Sequence, residues 1–351
     1  MTHDISLPIS PLARQGSFIR CCCGFHGPLR LAIVLIVLFC RGSALADTFG
    51  LGTAGPDNWG ILETGTGQVS ISGGSSSSPA GISVNPGAKA SNANLGINSG
   101  GSLTSAATTV INGTYYKHTG NTGDSVSGTT IVGGTTQSTA GDNTISAAVS
   151  SAQTASSNLA GLANTQTPPN LNNPSSSVTI TGVAGRNVIN VPIISLGNGI
   201  TLTLSGPAGA SWVVNVTGTG GSGGISLGSA KILVGGGVTD TNVILNVTGS
   251  ANVSTNGTGD VFDGIVMDLH GSVTLNAATV NGEVISNSAI SLSNGSDVEV
   301  SGPEPSAAAY FTLGPLSLIA VMGLHHHFSR RKHRARTKIA SAEHSIGLPA
   351  G

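Results

Sequence analysis

Short alternating stretches, each bounded by glycine or asparagine, limit what this chain can fold into more than any other feature. Val69-Ser70-Ile71-Ser72, Val178-Thr179-Ile180-Thr181, Ile200-Thr201-Leu202-Thr203-Leu204, Val213-Val214-Asn215-Val216 and Val243-Ile244-Leu245-Asn246-Val247 read as strands between tight turns. Toward the end, apolar centres recur at Val247, Ile265 and Val284, and on a second track at Val253, Val273 and Ile290. A recurrence of roughly eighteen to twenty residues suits one coil of a three-sided β-helix, with Val, Ile and Leu inward and Asn, Ser, Thr and Gly at the corners. The expected fold is therefore mainly β, a right-handed β-solenoid (β-helix) with one long helix packed alongside. A β-sandwich is the alternative, because evenly spaced short strands suit it too.

The helix is expected at about 144–163. Ile145, Val149, Ala152, Leu159 and Leu162 fall at helical spacing, Asp142 or Asn143 can cap the start, and Pro168-Pro169 ends it. Before it, from Asp47 to Gly141, strand signals are short, which predicts irregular coils with a loose loop at 73–79. A polar linker is expected from Asn164 to Ser177.

Both ends of the chain carry targeting signals. Residues 1–46 have the layout of a secretory signal peptide: a basic start, the apolar core Leu31 to Cys40, and a small-residue site at Ala44 and Ala46 that puts cleavage after Ala46. All four cysteines lie in that leader, so the body at 47–302 has no disulfide and must rest on backbone pairing. At the other end Pro303, Glu304 and Pro305 form a stiff break. An uncharged run at 307–324, long enough to span a bilayer, follows, and then a basic cluster with Arg330, Arg331 and Lys332. This order resembles the PEP-CTERM sorting signal of Gram-negative bacteria, which spans 303–338 here and leaves a short cytoplasmic tail at 339–351. The resemblance implies processing by signal peptidase and then by exosortase near the Pro-Glu-Pro tripeptide. It also implies a transient inner-membrane anchor, and a body released to, or attached at, the cell surface, outer membrane or extracellular matrix.

Within the body, four basic residues stand against twelve acidic ones. Such a body has no electrostatic footprint for nucleic acid. Nucleophilic or metal catalysis needs clustered His, Cys or carboxylate groups, and the body holds only His118 and His270 and no thiol. Asp260, Asp263, Asp268 and His270 form the densest polar group; they could hold calcium, although outward carboxylates at a corner explain them as well. Glycan cleavage on a β-helix would need a basic residue beside these acids, and only Arg186 and Lys231 lie in the solenoid half. The expectation is no enzyme, no cofactor and no bound metal. His325 to His327 read as polar flanking of the apolar run rather than a metal tract.

Four segments carry a second resemblance: Ser211 to Val216, Thr241 to Val247, Phe262 to Val266, and Ala278 to Ile285. They look like the ice-binding-like β-solenoid domains of bacterial adhesive proteins, and like the related choice-of-anchor A surface domains. What this implies is an adhesin-like display column on extracellular polysaccharide or the cell envelope, with ice binding as the alternative. Ice binding would use a flat face of regular threonines. The pairs Thr179/Thr181, Thr201/Thr203, Thr217/Thr219 and Thr239/Thr241 are uneven in spacing and are not expected to share one face.

Overall fold

The structure is a computed structural model that describes residues 48–300, apart from 57, 76–79, 85–92, 107 and 221–223. The expected leader with Ala44 and Ala46, the sorting tripeptide, the apolar run at 307–324, the basic cluster and His325 to His327 all lie outside the described residues. Among the described residues no helix is long and apolar enough to cross a membrane.

The chain forms β1 (Ile61–Glu63), β2 (Gln68–Ile71), β3 (Ala80–Val84), β4 (Leu95–Ile97), β5 (Ser102–Ser105), β6 (Thr109–Ile111) and β7 (Tyr115–Lys117). Then come β8 (Ser125–Val126), β9 (Thr130–Ile131), β10 (Thr135–Thr136) and the helix α1 (Thr139–Ala160). The second half holds β11 (Val178–Thr181), β12 (Gly185–Val191), β13 (Ile193–Leu196), β14 (Thr201–Gly206), β15 (Ala210–Val216), β16 (Gly224–Leu227) and β17 (Lys231–Gly236). It ends with β18 (Val243–Val247), β19 (Val253–Thr255), β20 (Asp260–Asp268), β21 (Val273–Asn276), β22 (Ala278–Ser286), β23 (Ile290–Ser293) and β24 (Asp297–Val300).

Every strand pair is parallel, for example β12 on β15, β16 on β19 and β20 on β22. That excludes the β-sandwich, whose sheets are antiparallel. Successive strands step around three faces. The helix face runs β12, β15, β18, β20, β22, β1, β4, β7, β10; a separate eight-stranded sheet runs β13, β16, β19, β21, β23, β2, β5, β8. The third face runs β11, β14, β17, β20, β22, β24, β3, β6, β9. β20 and β22 serve two faces because each bends at a glycine, Gly264 with φ 134° and Gly282 with φ 149°. There the strands approach so closely that a Cβ on Gly282 would sit 2.3 Å from the Gly264 carbonyl oxygen.

The coils do not stack in chain order. β1, β2 and β3 pair with β22, β23 and β24, so the amino-terminal coils sit on the last coil of the second half. They are regular members of the stack, not the irregular coils the sequence suggests. Their hydrophobic interior, Ile61, Val69, Ile82, Leu95 and Leu103, is continuous with Trp212, Leu245, Phe262, Val273 and Ile290. The track Val253, Val273, Ile290 is one inward column. The track Val247, Ile265, Val284 is not: Val247 pairs with Asp268, and Ile265 points outward beneath the helix.

The helix begins earlier than expected. Ser138, not Asp142 or Asn143, is the N-cap, and its Oγ accepts the Gly141 amide hydrogen at 3.2 Å. Gly141 in the first turn hides this start from propensity alone. Ile145, Ala148, Val149, Ala152, Ala155 and Leu159 form its buried stripe, packed on Val188, Val213, Ile244, Met267, Ile285 and Leu62. The expected polar linker is instead a cap on the stack. The Thr165 amide donates to the Val188 carbonyl, Leu171 is buried in the core, and Asn172 bridges in parallel to Ser195.

Candidate binding face

The three faces differ in what they offer a partner. The helix face is covered. The third face is mixed in charge, with Lys231, Asp263, Asp297 and Glu299 pointing outward, and it carries a shallow cleft of about 400 Å³ lined by Val234, Val238, Thr239, Asp240, Asp263, Asn281 and Glu299. The eight-stranded sheet is different: none of its strand residues is charged.

Alternation along these short strands puts one side chain of each at the centre of the outer surface. Pairing register then aligns them in a single column, Ser195, Ser226, Ser254, Thr274, Ser291, Ser70, Thr104 and Ser125. Every member bears a hydroxyl, one from each of the eight strands. Beneath it, Ile194, Ile225, Val253, Val273, Ile290, Val69 and Leu103 are buried, which fixes the register. Parallel pairing spaces the hydroxyls at about 4.8 Å.

At Ser195, one end of the column, and at Thr104, one strand short of the other, the hydroxyls have protein partners. Ser195 Oγ donates to Asn173 Oδ1 at 3.2 Å, and Thr104 Oγ1 accepts from Gln68 Nε2 at 2.8 Å. Between them the consecutive hydroxyls of Ser226, Ser254, Thr274, Ser291 and Ser70 form no hydrogen bond among the described residues. They are donors and acceptors offered to whatever lies against the face.

The residues singled out from sequence sit elsewhere. Thr179 and Thr203 are paired on the third face, where the column runs on into Leu233, and Thr239 and Thr241 bond each other in the loop before β18. The threonine pairs thus do not make one face, and the hydroxyl column escaped because most of it is serine and because β2 and β5 enter it out of chain order. Asp260, Asp263, Asp268 and His270 are not brought together. Asp260 is buried where the eight-stranded sheet meets the third face, and accepts from the amides of Ala230 and Gly257 at 2.7 and 3.1 Å. Asp263 points out from the third face and bonds the Val234 amide and the Asn281 side chain at 3.0 and 2.7 Å. Asp268 is buried at the opposite corner, beside the turn that carries His270. So two of these acids are interior turn clamps, not outward corner groups, and among the described residues no group of three His, Cys, Asp or Glu could hold a metal. Arg186 donates to the Thr48 carbonyl at 2.7 Å, and Lys231 lies exposed on the third face, away from it.

Among solved structures the fold is similar to an ice-binding protein from the Antarctic ascomycete Antarctomyces psychrotrophicus, at 20% identity and a TM-score of 0.42, covering 72% of this chain and 98% of that one. It is similar to the ice-binding protein LeIBP from Arctic yeast at 21% identity and a TM-score of 0.38, covering 72% and 94%. For the DUF3494 domain of the Shewanella frigidimarina ice-binding protein the values are 16%, 0.43, 72% and 97%. No curated protein matches the chain. The family described as an ice-binding-like adhesive domain matches residues 60–299, so that one family accounts for nearly the whole solenoid. The chain belongs to the family of ice-binding-like adhesive domains.

Proposed function

We propose that this protein is an exported, surface-sorted adhesive solenoid whose eight-stranded face binds ice. One observation carries the reading: a face with no charged strand residue bearing an unbroken column of hydroxyls, five of them consecutive and without a hydrogen-bond partner among the described residues. Their separation of about 4.8 Å is set by strand pairing. Hydroxyls held at that interval by a rigid scaffold can order water into a lattice that merges with the crystal, with little entropy left to lose on contact. The mechanism is display, without chemistry: no catalytic residue, cofactor or metal takes part.

Sorting fits this use. A secretory leader at 1–46 and a PEP-CTERM tail at 303–338, processed by signal peptidase and exosortase, would deliver the body to the cell surface or matrix. The same hydroxyls can bond a hydrated polysaccharide, which is the second reading, favoured by the mixed hydrogen-bonding character of serine, a side chain without the methyl group of threonine.

The test is inhibition of ice recrystallisation by the purified protein and by Ser254→Tyr and Thr274→Tyr, which raise bulk at the centre of the face. Activity lost in both variants with unchanged thermal stability supports ice binding. An inactive parent protein, or activity untouched by both substitutions, removes it, and retention on polysaccharide columns that these substitutions abolish would establish the second reading.

A further inference from the structure

The chain holds five Asn-Gly pairs: Asn112-Gly113, Asn198-Gly199, Asn256-Gly257, Asn281-Gly282 and Asn294-Gly295. Such a pair carries its own reactants. The glycine amide nitrogen can attack the asparagine side-chain carbonyl carbon, and a glycine, lacking a Cβ, hinders that approach least. The step needs a side chain released to swing onto the backbone, and a base placed to take the proton from the amide.

The fold withholds one or both at four of the five pairs. Asn112 Nδ2 donates to the Ile82 carbonyl at 3.1 Å, Asn281 Nδ2 to Asp263 Oδ1 at 2.7 Å, and Asn294 Nδ2 to Asn276 Oδ1. Asn198 is exposed, but the Gly199 amide is bonded to the Ser229 carbonyl at 3.0 Å, which is no base. Asn256 differs on both counts. Its side chain is exposed and has no hydrogen bond among the described residues. The Gly257 amide hydrogen rests on Asp260 Oδ2 at 3.1 Å, within the reach a general base needs. Asp260 is fully buried and its other oxygen accepts from the Ala230 amide at 2.7 Å, so the carboxyl group is fixed on the nitrogen that would react.

We propose that Asn256-Gly257 is a self-modifying site that converts to an aspartyl or isoaspartyl linkage, with Asp260 as the base. Gly257 N bonds to Asn256 Cγ as its proton passes to Asp260 Oδ2. The Cγ–Nδ2 bond breaks, and the nitrogen, protonated from solvent, leaves as ammonia; Asp260 returns its proton to solvent. Water then opens the cyclic imide at either carbonyl, giving aspartate where the new bond is cut and isoaspartate where the old peptide bond is cut. Water is the only reactant drawn from outside the chain. Asn256 directly follows β19 and lies two residues beyond Ser254 of the hydroxyl column. The product therefore sets a negative charge at the rim of a sheet whose strand residues carry none, and close to Asp260, where like charges repel. The reaction stands without the ice-binding reading, whereas its effect on the face rests on that reading.

The experiment incubates the intact purified protein in neutral buffer beside the same chain unfolded in urea. All five pairs are followed by peptide mass mapping and by isoaspartate-specific enzymatic methylation. A positioned base acts only in the folded state, so Asn256 is expected to convert at least about tenfold faster folded than unfolded. The other four pairs should convert more slowly folded than unfolded. Asp260→Asn, where its thermal unfolding matches the parent, should lower the rate at Asn256 by about a hundredfold; where that variant does not fold, the comparison within the parent decides alone. Conversion at Asn256 that is slower folded than unfolded, or no faster than at the other pairs, overturns the proposal. So does an undiminished rate in a folded Asp260→Asn. Asn256→Asp supplies the charge without the reaction: its inhibition of ice recrystallisation is expected to fall severalfold, and an active parent with an equally active variant overturns the effect on the face. Conversion and ice activity are read separately, so failure of the modification site and failure of the ice-binding reading are distinguishable.

Discussion

The side chain of Asn246 donates to Oδ1 of Asn215 at 2.9 Å, and the two asparagines face each other in adjacent strands of the helix face. Asn215 passes the pattern on to Asn190 at 2.8 Å. Each rung also reaches the helix: Asn246 to the Ser156 carbonyl, Asn215 to the Leu159 carbonyl, and Asn190 to the Leu162 carbonyl just past its end, at 3.2, 2.8 and 3.0 Å. The ladder is thus a polar seam in an otherwise apolar contact, adding side-chain donors to carbonyls in and just past the last turn of α1, one of which, Leu159, also accepts the Leu162 amide hydrogen.

Asn246→Ala should destabilise the fold by about 2–4 kcal/mol, because it strands several buried polar atoms at once. Asn190→Ala, at a half-buried rung, should cost about 1 kcal/mol. Chemical denaturation with an unchanged m-value checks both, and equal costs would mean that the seam does not depend on burial.

Gly96 lies flat beneath Trp59, where a Cβ would come within 2.6 Å of the indole Cζ3 and 2.9 Å of Leu62 Cδ1. Trp59 is held from elsewhere too, donating to the Thr53 carbonyl at 2.8 Å and meeting Tyr116 edge to face at 5.2 Å. Gly96→Ala should cost about 1–3 kcal/mol by overpacking and shift the indole fluorescence. Unaltered emission and stability would show that the ring has room to move.

Asp297, on the third face beside Ser83 and Glu299, is pushed up to about 6 by burial, and Glu299 adds to the rise. Its contribution is full in acid and disappears as pH climbs through about 6. Asp297→Asn should therefore gain about 1–2 kcal/mol over the parent at pH 8 and nothing at pH 3.5. Denaturant midpoints at the two pH values decide it.

Ser138→Ala removes the oxygen that caps α1 and should cost about 0.5–2 kcal/mol. Ser138→Asp should retain most of the stability. Indistinguishable midpoints for the parent and the alanine variant would show that the helix start is held by its packing alone.

The solenoid was legible because inward Val, Ile and Leu alternate with small polar residues on strands such as β2, β13, β14, β21 and β23, and a pattern with that period survives any order of coils. The helix was legible from Ile145, Val149, Ala152 and Leu159, but its start was not, since Ser138 and Gly141 carry no apolar periodicity. The hydroxyl column was hidden for a different reason. Ser70 and Ser291 are neighbours in space and distant in sequence, so no spacing along the chain reveals the column. Nor could the sequence show that Glu63 and Asp268 point inward, because an acid at the end of a strand ordinarily faces water.

The stacking of β1 on β22 also sets a timetable. A chain delivered from its amino terminus presents residues 61–136 first, yet the surface those coils must settle on is the last to arrive. Until residues 278–300 have followed, the early coils hold an exposed edge and an unfilled interior, and α1 has only part of its bed. Completion of the body is therefore a single late event that seats the start of the chain against its end. A truncation that removes only β22 to β24 should leave the first coils without a seat and vulnerable to proteolysis, though their own sequence is intact.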